Sequence, residues 1–397
     1  MDFYLQFGHG MMAHTEELIE RWDGGGAILS PRDLDENQLR RVAEVVRDKG
    51  GEPLLDPQCF ARDADHEKLI SHDYQQAFRA NPTGVGTPRV LERLARLASS
   101  LGVARHLLPG SFLTTVNDTW FDYHEDVIER APSCFGEEPL FATIALSAAT
   151  VRDEEQIEEL VERVSEWNVV GFYVLLETPD GAYLVDDPVW LGNALLLLAG
   201  LKLIDGRQVI LGYSNHQMLV AAAANIDVMA SGTWLNVRRF APDKFYAPDE
   251  DAVSRRATWC YCPQALSEYT LPYLDIAFRA GVLPSMRPPR ALDCEFADPL
   301  FDPRVNPGSV EWKEPSAFRH YLCCLRAQAA AATQHSYDAT QEQLGRSLDS
   351  ADRLLARLRR EGVNGKDRDF NGLADVSRSA LAQLNRARGA RLRREWA

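Results

Sequence analysis

The sequence predicts an α/β fold, a (β/α)8 TIM barrel followed by a helical C-terminal extension. Short apolar runs alternate with amphipathic stretches about eight times in roughly the first 240 residues, which is typical of a parallel sheet. That number of repeats favours a closed barrel over an open doubly wound sheet. No G-x-G-x-x-G follows the first strand, so a dinucleotide-binding fold is disfavoured. Beyond about residue 316 only helical patterns remain.

Each element follows from its apolar pattern and its boundaries. Strands are predicted at residues 3–7, 27–30, 53–55, 106–108, 140–146, 169–176, 208–212 and 227–230. Helices are predicted at residues 12–22, 36–49, 89–101, 153–167, 189–204, 216–224 and 267–280. Gly50 and Gly51 end the second helix. The C-terminal helices are predicted at residues 316–333, 347–360 and 376–395. We therefore expect a barrel over residues 1–285, an irregular linker over 286–315 and a helical region over 316–397.

Composition and charge exclude several classes of protein. The 397-residue chain is 45% hydrophobic and 25% charged, which is globular rather than disordered or fibrous. A net charge of −15 argues against nucleic-acid contact over the whole surface. The seven cysteines are unevenly spaced and follow no secretory signal, so we expect reduced thiols and a cytoplasmic location. The longest apolar run, residues 194–201, is too short to cross a bilayer, and no membrane partner is expected.

The C-terminal region has the opposite charge. Residues 345–397 carry 13 Lys and Arg against 7 Asp and Glu. The arginines cluster at the end, at Arg386, Arg388, Arg391, Arg393 and Arg394. One interpretation is a solvated helix face. The other is a local patch that contacts the phosphates of tRNA or DNA, with Arg388, Arg391, Arg393 and Arg394 as its nucleic-acid-binding residues.

Polar residues follow most of the predicted strands, where a barrel places its catalytic groups. Asp56, after Leu54 and Leu55, is the best single carboxylate, although an Asp before Pro can also simply cap a loop. His9 and Asp33 are the other candidate catalytic residues, and Asp33 also suits a helix entry. The candidate substrate-binding residues are Arg32, Gln58, Asn117, Glu177, Asn215, His216, Asn236 and Arg238.

The cysteines do not predict a complete metal site. Cys260 and Cys262 are close in sequence, but two thiols do not complete a zinc tetrahedron. Cys294 lies 32 residues after Cys262 and is a candidate third ligand. Cys323 and Cys324 lie in a helical pattern and are expected in the core. We therefore predict no metal and no cofactor, with zinc left open at Cys260 and Cys262.

Residues from about 140 to 281 resemble the second half of a tRNA-guanine transglycosylase. The similarity lies in Leu140-Phe141, in Leu211-Gly212-Tyr213, in Asn236-Val237-Arg238 and in Trp259-Cys260-Tyr261-Cys262 with its following helix. In the first half, Leu54-Leu55-Asp56 is similar to the strand that carries the family's active-site Asp. The resemblance implies a (β/α)8 barrel that exchanges a guanine base through a covalent nucleoside–enzyme intermediate. The family includes a branch that installs 7-deazaguanines in DNA.

The chain departs from that family at three places. The third zinc cysteine falls at Ala265 and the zinc histidine is absent. The nucleophilic Asp falls near Ala230 or Ser231, which leaves Asp56 as the matching carboxylate. We therefore expect a transglycosylase-like pentosyltransferase acting on the N-glycosidic bond of a purine nucleotide in nucleic acid, with a small-molecule base as co-substrate. Two alternatives stay open, a non-catalytic scaffold barrel that lost the nucleophile and an unrelated TIM-barrel hydrolase or lyase using His9 and Asp56. Homo-oligomerisation is also left open.

Overall fold

The computed structural model describes residues 1–80, 88–247, 257–292 and 294–396. Its parallel strands follow the order β3-β2-β1-β9-β8-β7-β6-β4, and β5 pairs with β6 beside β4. Their bounds are β1 Asp2–Gln6, β2 Gly25–Leu29, β3 Gly51–Leu55, β4 His106–Leu107, β5 Phe112–Leu113, β6 Leu140–Leu146, β7 Gly171–Leu176, β8 Gln208–Leu211 and β9 Val228–Ser231. With β4 and β5 sharing one position, eight parallel positions form a nearly closed α/β barrel, as the sequence predicted.

Helices connect the strands and cover the outside of the barrel. They are α1 Met12–Arg21, α2 Glu36–Asp48, α3 Glu67–Ser71, α4 Asp73–Arg79, α5 Pro88–Leu101, α6 Asp118–Phe135, α7 Ala148–Arg152, α8 Glu154–Val164 and α9 Pro188–Lys202. The segment His216–Ala224, expected as an α-helix, is a 3-10 helix capped by Asn215. Asp35 rather than Asp33 caps α2, and it forms a capping box with Gln38.

A hairpin follows the barrel. Strand β10 (Trp259–Cys262) pairs antiparallel with β11 (Ser267–Thr270), and α10 begins only at Leu271 and ends at Arg279. The prediction of a helix from residue 267 was therefore wrong over its first turn. The backbone of those residues pairs with β10 instead, and Pro272 suits the first turn of the helix that follows.

The helical region packs directly on the barrel. It contains α11 (Glu314–Ala332), α12 (Tyr337–Arg360) and α13 (Leu373–Glu395). Helix α11 contacts α1, β1 and β10, while α13 lies along α9. Helix α9 is buried on nearly all sides because it lies between the sheet and α13, which explains its uniformly apolar sequence. Among the described residues, no helix is both long and apolar enough to span a membrane.

Two apolar layers result from the closed sheet. The larger one joins the outer faces of the strands to the helices. The smaller one fills the barrel interior with side chains such as Ile28, Leu54, Phe141 and Ile210, and continues into residues that follow the strands, such as Phe240. The barrel interior is therefore a packed core, and the carboxyl end is where barrel enzymes place their active sites.

Candidate active site at the carboxyl end of the barrel

Asp56 lies directly after β3 and is completely buried. Its Oδ2 accepts hydrogen bonds from the hydroxyls of Tyr213 at 2.7 Å and Tyr173 at 3.3 Å, and its Oδ1 accepts one from the Gln58 backbone N–H at 3.1 Å. Burial raises the pKa of Asp56, while these donors and the nearby Lys244 oppose that rise. The Asp56 carboxyl group is thus shielded from solvent and accepts hydrogen bonds from three donors.

Lys244 is the cation of this site. Its Nζ lies 3.3 Å from the centroid of the Tyr213 ring, and it donates to the Asn236 carbonyl at 3.3 Å. Burial lowers the pKa of Lys244 well below its ordinary value, although the negative charge of Asp56 acts in the opposite direction. Tyr213 therefore contacts the carboxylate through its hydroxyl and the amine through its ring.

A polar network holds the Asp56 loop. Gln58 accepts from the Arg32 backbone N–H at 2.8 Å and donates to Ser30 Oγ at 2.9 Å. Arg32 in turn donates to the Lys244 carbonyl at 2.5 Å and pairs with Asp33 at 2.8 Å. Three predicted residues, Arg32, Asp33 and Gln58, are thus brought to the Asp56 site, where they position its loops.

Two of the seven described non-glycine residues with positive φ lie at this site. Gln58 has φ +53° and Tyr213 has φ +47°, in the left-handed region that non-glycine residues rarely adopt. Both residues hydrogen-bond to Asp56. Non-glycine residues in this region cost of order 1–3 kcal/mol each and cluster at functional sites, so the strain marks the Asp56 loops as candidate functional loops.

Aromatic side chains cover the site. The Phe60 ring centroid lies 5.2 Å from that of Phe240 and 5.0 Å from that of Phe245, and Phe240 also packs 5.7 Å from Tyr213. Beside them is a cleft of about 670 Å³. Its aromatic lining comprises Phe60, Phe78, Phe112, Tyr123, Phe245 and Tyr246, and its charged lining comprises Arg62, Asp63 and Asp122. Phe60 and Phe245 therefore line the cleft and, through Phe240, connect it to the Tyr213 ring.

Arg238 belongs to a separate buried ion cluster. Its guanidinium pairs with Glu268 at 3.1 Å and lies 3.5 Å from the Tyr321 ring centroid. Glu268 also accepts from Arg368 at 2.9 Å and from the Tyr183 hydroxyl at 2.7 Å. Burial raises the pKa of Glu268, but the two guanidinium groups outweigh this effect and lower the pKa to about 2. This cluster joins the segment after β9, which carries Arg238, to the hairpin and the C-terminal region.

Most of the other predicted site residues have local structural contacts. Exposed Asn117 caps α6, half-buried Glu177 accepts from the backbone N–H at the start of α7, and Asn215 caps the 3-10 helix. His9 is exposed, and its carbonyl accepts from the Trp234 indole at 3.1 Å. Within the described part of the chain, no hydrogen bond or ion pair joins His9 to Asp56.

His216 is the exception among these residues. It is buried, and neither ring nitrogen has a hydrogen-bond partner among the described residues. Burial lowers its pKa to about 4. It packs against Tyr183, Tyr261 and Tyr321 beside the Arg238 cluster, so it lies apart from Asp56.

The C-terminal arginines are largely engaged by their own chain. Arg388 pairs with Glu158 at 2.7 Å and donates to the Leu196 carbonyl at 3.1 Å. Arg391 donates to the Leu203 carbonyl at 2.6 Å. The remaining candidates differ in their surroundings: Arg393 pairs with Asp338 at 2.9 Å, whereas Arg394 is exposed. These contacts fasten α13 to the barrel, and whether the exposed arginines bind phosphate stays a prediction.

All seven cysteines are free, and two of them, Cys323 and Cys324, lie in α11. Cys262 contacts Gln264 and the Met286 carbonyl. Cys294 and Cys324 instead converge with His320, so that one ligand atom from each lies within 4.8 Å of the others. The sequence analysis assigned Cys324 to the core and did not consider His320. The signal it missed is their i, i+4 spacing, which puts both on one face of a helix.

Sequence reasoning also missed Lys244, Tyr173 and Tyr213. Tyr173 lies within a strand that was assigned to the core, and Lys244 lies in a loop with no motif. The available signal was Tyr213 itself, a polar aromatic residue directly after a predicted strand.

Comparisons with known proteins do not identify a family. No family model matches the chain, and no curated protein matches it. One similar solved structure is a probable tagatose 6-phosphate kinase from Sinorhizobium meliloti 1021. That match has 13% identity and a TM-score of 0.30, and it covers 97% of this chain and 98% of the other.

Proposed function

We propose that this chain is a barrel enzyme that acts on the N-glycosidic bond of a purine nucleotide in nucleic acid, with Asp56 as its main catalytic carboxylate. The observation that carries the proposal is a buried carboxylate at a barrel strand end, held by three donors, with Phe240 linking its partner Tyr213 to the rings of an aromatic cleft. The reaction class, exchange of a base at an N-glycosidic bond, is taken from the sequence resemblance around Asp56 to the tRNA-guanine transglycosylases. A cytoplasmic location belongs to the same proposal and is supported by the seven free cysteines.

The chemistry requires an anion near the anomeric carbon. Asp56 attacks C1′, or stabilises its oxocarbenium-like transition state, as the bond to the base nitrogen breaks. The departing base takes a proton from Tyr213 or from the Lys244 ammonium. Attack of an incoming base on C1′ then releases Asp56 and reverses the proton transfer. Tyr173, Tyr213 and the Gln58 N–H favour the ionised form of Asp56 against its burial.

The cleft suits a flat heteroaromatic base. Its rings offer stacking surfaces, Asp63 and Asp122 accept from amino and ring N–H groups, and Arg62 can donate to a carbonyl oxygen. Asp56 is fully buried and does not line the cleft, so a bound substrate must displace the side chains that separate the two. The proposal therefore includes a side-chain movement on binding.

Lys244 supports a second candidate, a lyase that forms a Schiff base with a carbonyl substrate. A buried amine with a lowered pKa is the form of lysine that attacks carbonyl carbons. His9, which the sequence paired with Asp56 for such chemistry, is replaced in this hypothesis by Lys244.

The test of the first candidate is base exchange. Labelled guanine and 7-deazaguanine bases are incubated with the protein and either unmodified tRNA or duplex DNA, and incorporation is counted. We expect incorporation into one of the two nucleic acids and a loss of about 100-fold or more in Asp56→Asn. Asp302→Asn, in a surface loop, is the matched control. A folded Asp56→Asn protein with full activity would contradict the role of Asp56, and absence of exchange with every base in both nucleic acids would contradict the reaction.

A further inference from the structure

We propose that Cys294, His320 and Cys324, with Cys260 as fourth ligand, form a zinc site that fastens the β10–β11 hairpin to α11. None of these residues takes part in the Asp56 site, so the proposal does not depend on the proposed reaction. The ligands come from three separate segments, with Cys260 in β10, Cys294 in the irregular stretch after α10, and the other two in α11.

The distances fit one small ion. The Cys294 Sγ lies 3.0 Å and the Cys324 Sγ lies 3.6 Å from the His320 Nδ1. Zinc bonds of about 2.3 Å to sulfur and 2.0–2.1 Å to nitrogen place two such ligands about 3.5 Å apart in a tetrahedron. Small side-chain adjustments therefore suffice to surround an ion.

The orientation of the imidazole supports the same conclusion. His320 Nε2 lies 2.7 Å from the Tyr261 carbonyl oxygen, which can only accept, so this nitrogen carries the hydrogen. In the neutral ring, the lone pair is then on Nδ1, which faces the two thiols. A ligating histidine characteristically donates its other N–H to a backbone carbonyl or a carboxylate. The histidine is thus held in the tautomer and orientation of a metal ligand.

The fourth position is supplied by Cys260. Its thiol is buried and hydrogen-bonds to His320, but it lies outside the set of ligand atoms that are all within 4.8 Å of one another, so its side chain must move closer when the ion binds. Three thiolates and one imidazole select zinc over magnesium or calcium, which prefer oxygen. Binding releases the protons of the coordinating thiols to solvent. Four protein ligands leave no open position, so the role is structural.

The experiment measures metal content and coordination in the full-length chain. Protein purified under reducing conditions is analysed for zinc, and a chelated sample is titrated with Co²⁺ as a spectroscopic probe. We expect about one zinc per chain and the visible absorption bands of tetrahedral cobalt thiolate. Cys294→Ser and His320→Ala should each lose the zinc and weaken those bands.

Cys262→Ser is the matched control, because Cys262 lies in the same hairpin but contacts Gln264 and Met286 instead. It should keep its zinc. Retention of zinc by a Cys294→Ser protein, or its loss in Cys262→Ser alone, would overturn the ligand set. A folded metal-free wild type that binds no Co²⁺ would overturn the site. If His320→Ala does not fold, the half-buried Cys294 variant still decides the question.

Discussion

Glu268 offers a direct test of the buried ion cluster through the substitution Glu268→Gln. The change keeps the shape of the side chain but removes its negative charge from beside Arg238, whose side chain is only 3% exposed. The guanidinium is then left without its buried counter-charge. Breaking a buried pair in this way costs roughly 3–5 kcal/mol, so the variant should be destabilised by that amount at pH 7.

The pH dependence gives a second magnitude. The pKa of Glu268 falls from its ordinary 4.5 to about 2 in the folded chain, which corresponds to roughly 3 kcal/mol. Since the folded pKa lies below the unfolded one, this stabilisation is complete above about pH 4.5 and is lost as the pH falls towards 2. The free energy of unfolding of the wild type should therefore fall on acidification. The fall for Glu268→Gln should be smaller, because this variant lacks the carboxylate contribution.

Urea unfolding between pH 7 and pH 3, followed by circular dichroism, measures both effects. The matched control is Glu158→Gln, which removes a partner of Arg388 at a site where the carboxylate is 52% exposed. Exposed pairs contribute about 0–1 kcal/mol, so this control should change little. Equal free energies of unfolding for Glu268→Gln and wild type would refute the reasoning, as would an unchanged difference between pH 7 and pH 3.

Two further predictions concern the proposed functions. If exposed C-terminal arginines bind phosphate, an Arg386→Ala/Arg394→Ala double variant should bind tRNA or DNA more weakly. The slope of the logarithm of its binding constant against the logarithm of salt concentration should fall in magnitude by about 2, whereas the surface variant Arg304→Ala should keep the wild-type slope. An unchanged slope in the double variant would show that these arginines are only a solvated helix face. This variant is preferable to truncation after Leu384, which would also remove buried Leu392. If Lys244 forms a Schiff base, borohydride treatment in the presence of aldehydes or 2-oxo acids should add mass to the peptide that contains Lys244. This adduct should be absent from the Lys244→Met variant. No adduct, or an adduct on another residue, would reject the lyase hypothesis.

Most of the barrel strands and the longer helices could be predicted from local pattern because strand and helix periodicities are local properties of the chain, but α3, α4 and α6 were missed. The barrel and the position of Asp56 at a strand end followed from that alternation. The structure of Ser267–Thr270, the first turn of the helix predicted over residues 267–280, could not be assigned from local pattern. Whether Ser267–Thr270 forms a strand depends on its pairing with β10, and that partner lies outside the segment.

The composition of the candidate site was decided only by tertiary structure. Closure of the barrel brings Tyr213 and Tyr173 to Asp56 across 157 and 117 residues, and Lys244 joins them from a loop without any motif. His320 and Cys324 had a helical spacing that pointed to one face, but only packing of α11 against the irregular stretch after α10 brings Cys294 to them. The sequence by itself determined which residues end strands. The side chains that face those ends were determined by long-range packing, which leaves no periodic signal.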